Sequence, residues 1–185
     1  MDKKDVRIEE FKGLRVAYLR KQGHFHEVAP ALMRQLREFA GRAGHHGSNA
    51  QYLSIVSDDP RTNPHGQVHV DACVTVTPDY RAPAGSELAL RDIEPGLYAA
   101  YRHIGSYKGL RDAWARLSGL PMPSNVHLIG PCVSAADLAR LPKQPSSSKR
   151  DRLHAPSFEI YLNDPSRTPE AELATDLYQP IEGSS

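Results

Sequence analysis

Hydrophobic and polar positions along the chain change period in a repeating order, from strand-like alternation to helical spacing and back. Two strand-like segments open each half, VRIEEF and LRVAYLRKQ in the first and ELALRDI and LYAAYRHI in the second. A glycine and a helical pattern follow each pair, and two strands joined by an Asp-Pro loop come next. The apolar helical positions are Val28, Ala29, Leu32, Met33, Leu36, Phe39 and Ala40, and then Leu110, Ala113, Trp114 and Leu117. We expect the first helix to begin near His26 or Glu27, since Pro30 then falls in its first turn.

The two halves are an internal duplication. FKGLRVAYLRKQGHF (11–25) aligns with IEPGLYAAYRHIGSY (93–107) at an offset of 82, and 53–76 aligns with 158–181 at an offset of 105. The difference, 105 − 82 = 23, predicts 23 additional residues in the second copy, where RLPKQPSSSKRDRLHAP is typical of a solvated loop and SAADLARL of a short helix.

The domain expected from this duplication is a single one over 1–185. Its first repeat covers about 4–78 and its second about 86–182, with the surface insertion within about 119–156. Two β-α-β-β modules, each too small to bury its own sheet, would be stable when fused about a pseudo-two-fold axis. The sequence therefore predicts an α+β fold with a groove between the halves, a usual place for a ligand.

Charge, apolar runs and cysteine content narrow the partners and the cellular compartment that we expect for the protein. With 23 Lys and Arg against 22 Asp and Glu, the chain has no strong field for nucleic acid or an anionic membrane. It has no leader-like segment and no run of 18 apolar residues, so we expect a cytoplasmic protein. Cys73 and Cys132 are expected as free thiols, with a single disulfide as the alternative. The histidine and cysteine spacings predict no metal, and we expect no cofactor.

Six blocks of the chain, in order, resemble a known family. They are LRVAYLRKQGHF, YLSIVSDDP, VHVDACVTV, GLYAAYRHIGSY and the two parts of SFEIYLNDP…TDLYQPI. These blocks look like the GyrI-like domain, the effector-binding domain of AraC-type and MerR-type regulators, from about Val6 to Ile181 apart from the insertion. The resemblance implies a tandem of SHS2 modules, a concave antiparallel sheet with two helices, and a small-molecule cleft at the pseudo-two-fold axis.

Glu159, in FEIYLND, is the candidate anchor of that cleft. Alternation places Phe158, Ile160 and Leu162 on one face, expected to cover the helices, and Glu159 and Tyr161 on the other, facing the groove. The alternative is an acid on the solvent side of a half-buried strand. The repeat partner of Glu159 is Ser54, so the shared fold requires no acid there, and the resemblance implies a central carboxylate on this strand. Aromatic candidates to line the cleft are Tyr18, Tyr98, Tyr101, Trp114, Tyr161 and Tyr178, with core packing as the alternative for Trp114. Ser54 is a further candidate ligand contact.

We therefore expect a stand-alone binder of hydrophobic or cationic aromatic molecules, rather than an enzyme, since no helix-turn-helix pattern accompanies the domain. Alternatives remain open. One is a hydrolase of cyclopropane-bearing alkylating antibiotics, with Glu159 activating water and Tyr161 assisting. Others are a gyrase-inhibitor-type interaction protein and a detached effector domain of an AraC-type regulator. The sequence predicts no ligand identity and no oligomeric state.

Matched Asp and Arg residues recur in both copies and are expected to be structural. Asp71 matches Asp176, and Arg20 matches Arg102. The Asp-Pro loops lack the glycines of a phosphate loop and the spaced oxygens of an EF-hand, so a turn explains them.

Overall fold

The computed structural model describes residues 6–42, 50–56, 67–119, 126–128 and 156–183. The predicted α+β class is confirmed, and all four strand-like segments that open the two halves form strands. The strands are β1 (Val6–Phe11), β2 (Leu14–His24), β3 (Tyr52–Val56), β4 (Gln67–Thr75), β5 (Ala89–Ile93), β6 (Gly96–Ile104), β7 (Val126–Leu128), β8 (Phe158–Tyr161) and β9 (Ala174–Gly183). The helices are α1 (Phe25–Arg42) and α2 (Leu110–Gly119), with 3₁₀ turns at Tyr107–Gly109 and Glu170–Glu172. Of the predicted insertion, only residues 119, 126–128 and 156 are described, so SAADLARL lies outside the described residues.

Eight strands form one curled antiparallel sheet in the order β1-β6-β9-β8-β3-β4-β2-β5. The short strand β7 pairs with the far end of β9, where Leu128 lies opposite Ile181. The seam between the two halves is the pairing of β3 with β8 at the centre of the sheet. On each side of this seam lie three strands of one half of the chain and the first strand of the other half.

The first strand of each half pairs with the other half. β1 pairs with β6, and β5 pairs with β2. The modules were expected to be too small to bury their own sheets, and this exchange is how the two are joined. Only residues 12–13 join β1, at one edge of the sheet, to β2 near the other edge, and only residues 94–95 join β5 to β6.

These two short connections bring the edges of the sheet together. Three consecutive Cα–Cα steps span at most about 11 Å, so β1 must end close to the start of β2. The connections also touch each other. Gly13 has φ +84°, and a Cβ there would lie 2.9 Å from the Ile93 carbonyl oxygen and 3.3 Å from Pro95. Glycine is required at this position for both reasons.

The two faces of the sheet have different partners. The face inside the curl carries an apolar and aromatic core of Val16, Leu53, Ile55, Cys73, Ile93, Tyr98, Ala100, Phe158, Ile160 and Tyr178. The outer face carries the helices. Leu32 and Leu36 of α1 pack on Ala17, Leu19, Ala72 and Val74 of the first half, and Leu110, Ala113 and Leu117 of α2 pack on Ala99 and Leu177 of the second.

The pseudo-two-fold axis passes between two residues. The offset of 105 relates Ser54 to Glu159, and the register of β3 with β8 places the same two residues opposite each other. A residue that faces its own repeat partner across a strand pair lies on the symmetry axis. The duplication therefore locates Glu159 at the centre of the molecule.

Helix α1 begins one or two residues earlier than expected. Its first residue is Phe25, so Pro30 lies beyond the first turn, and the hydrogen bond that its N–H would donate to the His26 carbonyl is lost. Pro30 is exposed. Neither described helix has the length and apolar character needed to cross a membrane.

Candidate ligand-binding site

Glu159 lies on the helix-bearing face of β8 and is 3% exposed. The predicted alternation along β8 is correct, but the prediction that its apolar face covers the helices is wrong. Phe158 and Ile160 face the core inside the curl, while Glu159 faces α2. Leu162 lies beyond the end of β8 and is 41% exposed. The curled sheet encloses its own apolar face, so the helices cover the opposite face, which carries Glu159.

Both carboxylate oxygens of Glu159 accept hydrogen bonds from aromatic side chains. Trp114 Nε1 donates to Oε1 at 2.6 Å, and the Tyr161 hydroxyl donates to Oε2 at 3.0 Å. The Tyr161 hydroxyl also lies 2.7 Å from Ser54 Oγ. Since its single proton goes to Glu159, Ser54 donates to Tyr161. The result is a directed chain of hydrogen bonds from the first half of the molecule to the acid of the second.

Burial and hydrogen bonding act in opposite directions on the acid. Desolvation raises the pKa of Glu159 above its ordinary value, and the donors Trp114 and Tyr161, with a weaker effect of His103, oppose that rise. Among the described residues, no Lys or Arg forms an ion pair with Glu159. Burial also raises the pKa of Tyr161 well above its ordinary value, and the neighbouring Glu159 adds to the rise. Within the described part of the chain, the site therefore holds a buried acid without a Lys or Arg ion-pair partner.

Two more aromatic rings and the guanidinium of Arg37 lie next to this chain of hydrogen bonds. The Tyr107 ring is 5.4 Å from that of Tyr161, and Tyr52 lies opposite Tyr161 across the β3–β8 seam. The guanidinium of Arg37, on α1, lies 4.2 Å from the Tyr52 ring centre and 3.8 Å from an oxygen of Asp164. The acid is thus enclosed between the two helices, with aromatic rings around it and an ion pair beside them.

The structure brings four of the eight sequence-predicted residues together and places the other four elsewhere. The structure brings Glu159, Tyr161, Trp114 and Ser54 together in one hydrogen-bonded cluster. It places Tyr18, Tyr98 and Tyr178 with the core on the opposite face, where the rings of Tyr178 and Phe158 stack at 4.8 Å. They do not approach Glu159 because side chains alternate between the two faces of a sheet, and theirs lie on the face opposite to Glu159. Tyr101 is on the correct face but packs in the cluster under α2.

Sequence reasoning missed four residues around the acid, namely Tyr52, Tyr107, His103 and Arg37. One signal was available for Tyr107, since it is the repeat partner of Phe25 and so keeps an aromatic ring in both copies. Arg37 gave no signal, because its neighbour Asp164 is far away in sequence and the two meet only through the fold.

The matched acids and arginines are structural, as expected. Arg20 makes a bidentate contact with Asp71 at 2.6 and 2.8 Å, and Arg102 makes the same contact with Asp176 at 2.8 and 2.7 Å. Asp164 accepts from the backbone N–H and hydroxyl of Ser166, a local turn that explains the Asp-Pro loop.

A separate small pocket lies between α1 and the chain that leads into β5. Its lining consists of Leu19, Gln35, Phe39, Ser86, Glu87 and Leu88. None of these residues belongs to the Glu159 cluster. We place the candidate site at Glu159 because, among the residues that the structure describes, only there does a buried acid accept hydrogen bonds from two aromatic side chains.

Several known proteins are similar to this chain in sequence or in fold. A DNA gyrase inhibitor from Yersinia enterocolitica is 28% identical over 178 residues, which are 95% of this chain and 96% of that protein. Two solved structures share the fold. The C-terminal domain of EcmrR has a TM-score of 0.69 at 15% identity and is covered to 97% by 96% of this chain, although this chain spans only 57% of the EcmrR chain solved with DNA. SAV2435 bound to tetraphenylphosphonium has a TM-score of 0.52 at 12% identity, with 97% of this chain covering 94% of that one.

The family assignment rests on the sequence itself. The profile described as the GyrI-like small molecule binding domain matches residues 4–133, more than half of the chain. The resemblance inferred from the duplicated blocks is thereby confirmed. The chain belongs to the family of GyrI-like small molecule binding domains.

Proposed function

We propose that the protein binds lipophilic aromatic cations between its two helices, with Glu159 as the anionic anchor. The observation that carries this proposal is a carboxylate that is 3% exposed, lies on the pseudo-two-fold axis and has no cationic partner among the described residues. Burying an ionised acid without a counter-ion costs several kcal/mol. A ligand that brings a positive charge offsets that cost and is therefore selected for its charge.

The aromatic groups supply the rest of the affinity. The rings of Trp114, Tyr161 and Tyr107 can stabilise a cation through their π faces by about 0.5–2 kcal/mol each. Their apolar surfaces favour ligands that carry rings of their own. SAV2435, which shares the fold, was solved with tetraphenylphosphonium, a ligand of this chemical class.

Entry of a ligand requires a rearrangement. Glu159 is 3% exposed, and the side chains of Trp114 and Tyr161 each contact one of its oxygens, so at least one of them must move before a ring-bearing cation reaches the acid. Trp114 is the better candidate to move because it belongs to α2, a helix of only 10 residues. Tyr161 is held by the central β3–β8 seam and by Ser54.

The test is a calorimetric titration of wild type and Glu159→Gln with tetraphenylphosphonium. Glutamine keeps the shape of the side chain and removes the charge, so we expect the dissociation constant to rise about 10- to 100-fold, the range for loss of a hydrogen-bonded charge interaction. Glu94→Gln, at an exposed position between β5 and β6, removes the same net charge and should leave the affinity unchanged. Trp114, the single tryptophan, gives a fluorescence signal at the site itself. Equal affinity in wild type and Glu159→Gln would refute the proposal.

The sequence also left other roles open. Hydrolysis of strained rings, inhibition of gyrase and service as a regulator's effector domain stay predictions. Each is compatible with a ligand site at Glu159, and the titration above does not depend on which of them applies.

A further inference from the structure

Three hydroxyls of the second half are buried without a hydrogen-bond partner among the described residues, those of Ser86, Tyr98 and Thr175. Ser86 lines the separate pocket and Tyr98 lies in the core inside the curl, so Thr175 is the one beside the Glu159 cluster. Thr175, on β9, is 0% exposed, and its Oγ1 is unpaired. Burying a hydroxyl without a partner costs free energy, so such groups are rare in folded proteins and point to a function where they occur.

Thr175 lies beside the Glu159 cluster. The register places it opposite Tyr161 of β8 on one side and opposite His103 of β6 on the other. Alternation along β9 puts its side chain on the same face as Leu177, which packs under α2 and lies opposite Glu159. Directly opposed side chains have Cβ atoms about 5 Å apart and diagonal ones about 7 Å apart, so Oγ1 is within reach of a ligand held by Glu159.

The duplication shows that the fold does not require this hydroxyl. The repeat partner of Thr175 is Val70, which has nearly the same shape, is also 0% exposed and packs with Val28, Ala29 and Val68. Val70 lies opposite Val56 in β3. The same offset relates Val56 to Tyr161, so the apolar Val56–Val70 pair of the first half becomes the polar Tyr161–Thr175 pair in the second.

We infer that Thr175 is a specificity-determining contact of the ligand site, whose hydroxyl pairs with a hydrogen-bonding substituent placed one ring away from the ligand's positive charge. This inference rests on the proposed cation site at Glu159 and narrows its ligand class. The preferred ligands are aromatic cations that carry a hydroxyl, carbonyl or amide group, rather than purely hydrocarbon cations.

The test pairs an isosteric substitution with matched probes. Thr175→Val removes only the hydroxyl, and Val70→Thr adds one at the equivalent position of the first half. The probes are tetraphenylphosphonium, which has no hydrogen-bonding group, and the ortho, meta and para isomers of its hydroxymethyl derivative, which place a hydroxyl at three distances from the charge.

We expect Thr175→Val to weaken at least one hydroxymethyl isomer about 3- to 10-fold, the range for one neutral hydrogen bond, and to change tetraphenylphosphonium binding less than twofold. Its melting temperature should stay the same or rise, because an unpaired buried hydroxyl is removed. Val70→Thr should lower the melting temperature by a few degrees and leave all four affinities unchanged.

Three outcomes would overturn the inference. They are an equal effect of Thr175→Val on all four probes, no effect on any of them, or a lower melting temperature, which would mean that the hydroxyl has a structural partner. The role of Glu159 is judged separately. If Glu159→Gln weakens tetraphenylphosphonium but Thr175→Val discriminates among no probes, only the Thr175 inference fails.

Discussion

At the scale of single residues, the central feature is an acid whose two oxygens each accept a hydrogen bond from a neutral donor. Trp114 can only donate and Tyr161 donates its one proton, so both stabilise the ionised form of Glu159. Desolvation has the larger effect and raises the pKa of the acid. The donors hold the carboxylate in place, and its charge remains available to a ligand.

This balance predicts how stability depends on pH. Because the pKa of Glu159 is higher in the folded protein than its ordinary value of 4.5, the folded state binds the proton more tightly. The resulting stabilisation is complete below pH 4.5 and is lost as the pH rises through the raised folded pKa. Relative to Glu159→Gln, wild type should therefore lose stability with increasing pH, by at most about 1.4 kcal/mol per pH unit.

Urea unfolding of both proteins between pH 4 and 8 measures this difference, and the variant cancels the titration of all other groups. A difference that grows in favour of wild type with rising pH would mean that the donors outweigh desolvation.

The acid could be found from the sequence, but its surroundings could not. The mismatch of Glu159 with Ser54 in the duplication identified it. Which residues share a face of each strand was predictable too. Which face the helices cover was not, because that depends on how the sheet curls. This is why Tyr98 and Tyr178 were assigned to the site, although they belong to the core inside the curl.

At the scale of elements, each repeated Asp–Arg pair lies within one half, and a second arginine from the other half contacts the same acid. Asp71 of β4 contacts Arg20 of β2 and also Arg91 of β5, at 3.2 Å. Asp176 of β9 contacts Arg102 of β6 and also Arg7 of β1, at 3.7 Å. In each case the second arginine comes from the exchanged strand. These buried acids therefore help to stabilise the pairing of β1 and β5 with the other half.

Removing either acid should therefore destabilise the fold to a similar extent. We expect Asp71→Ala and Asp176→Ala each to lower the free energy of unfolding by about 2–3 kcal/mol, since each loses a bidentate, charge-assisted contact at a buried position. The loss at Asp71 should be the larger, because its second arginine lies closer.

Asp92→Ala is the matched control for this pair. Asp92 also contacts an arginine, Arg15, at 3.0 Å, but its side chain is 57% exposed, so its loss should cost less than about 1 kcal/mol. Urea unfolding at one pH compares the three variants. Equal small losses in all three would show that the buried acids do not stabilise the sheet.

Two glycines at equivalent positions show what the repeat could and could not reveal. Gly23 and Gly105 match in the duplication, but the structure requires them for different reasons. A Cβ at Gly23 would lie 2.4 Å from Val28 Cγ2, whereas Gly105 has φ +124°. The pattern predicted that both elements end there, and only the fold distinguishes close packing from backbone conformation.

At the scale of the whole molecule, the exchange of β1 and β5 joins the two halves of the chain in one sheet. Neither half has its full set of strands without the other, and the two-residue connections hold the edges of the sheet together. The order of strands along the chain could be predicted from the duplication. The exchange could not, because a first strand can pair with either half while satisfying the same alternation.

The curl of the sheet also bears on where the proposed ligand site lies. The enclosed face packs into a core of aromatic rings, so we place the proposed ligand on the outer face, which carries α1 and α2. Glu159 and Ser54 lie on the pseudo-two-fold axis, and of these two only Glu159 has an acidic side chain. In our proposal, the pseudosymmetric fold presents one asymmetric anionic point to its ligand.

The central claim is that this point selects ligands by the sign of their charge, and one measurement tests it most directly. Tetraphenylphosphonium and tetraphenylborate have nearly the same size and shape and opposite charges. Their dissociation constants are measured by calorimetry in sodium buffer for wild type and for Glu159→Gln. We predict that wild type binds the phosphonium at least about 10-fold more tightly than the borate, and that Glu159→Gln removes most of this preference. Equal binding of the two ions by wild type, or an unchanged preference in Glu159→Gln, would contradict the account.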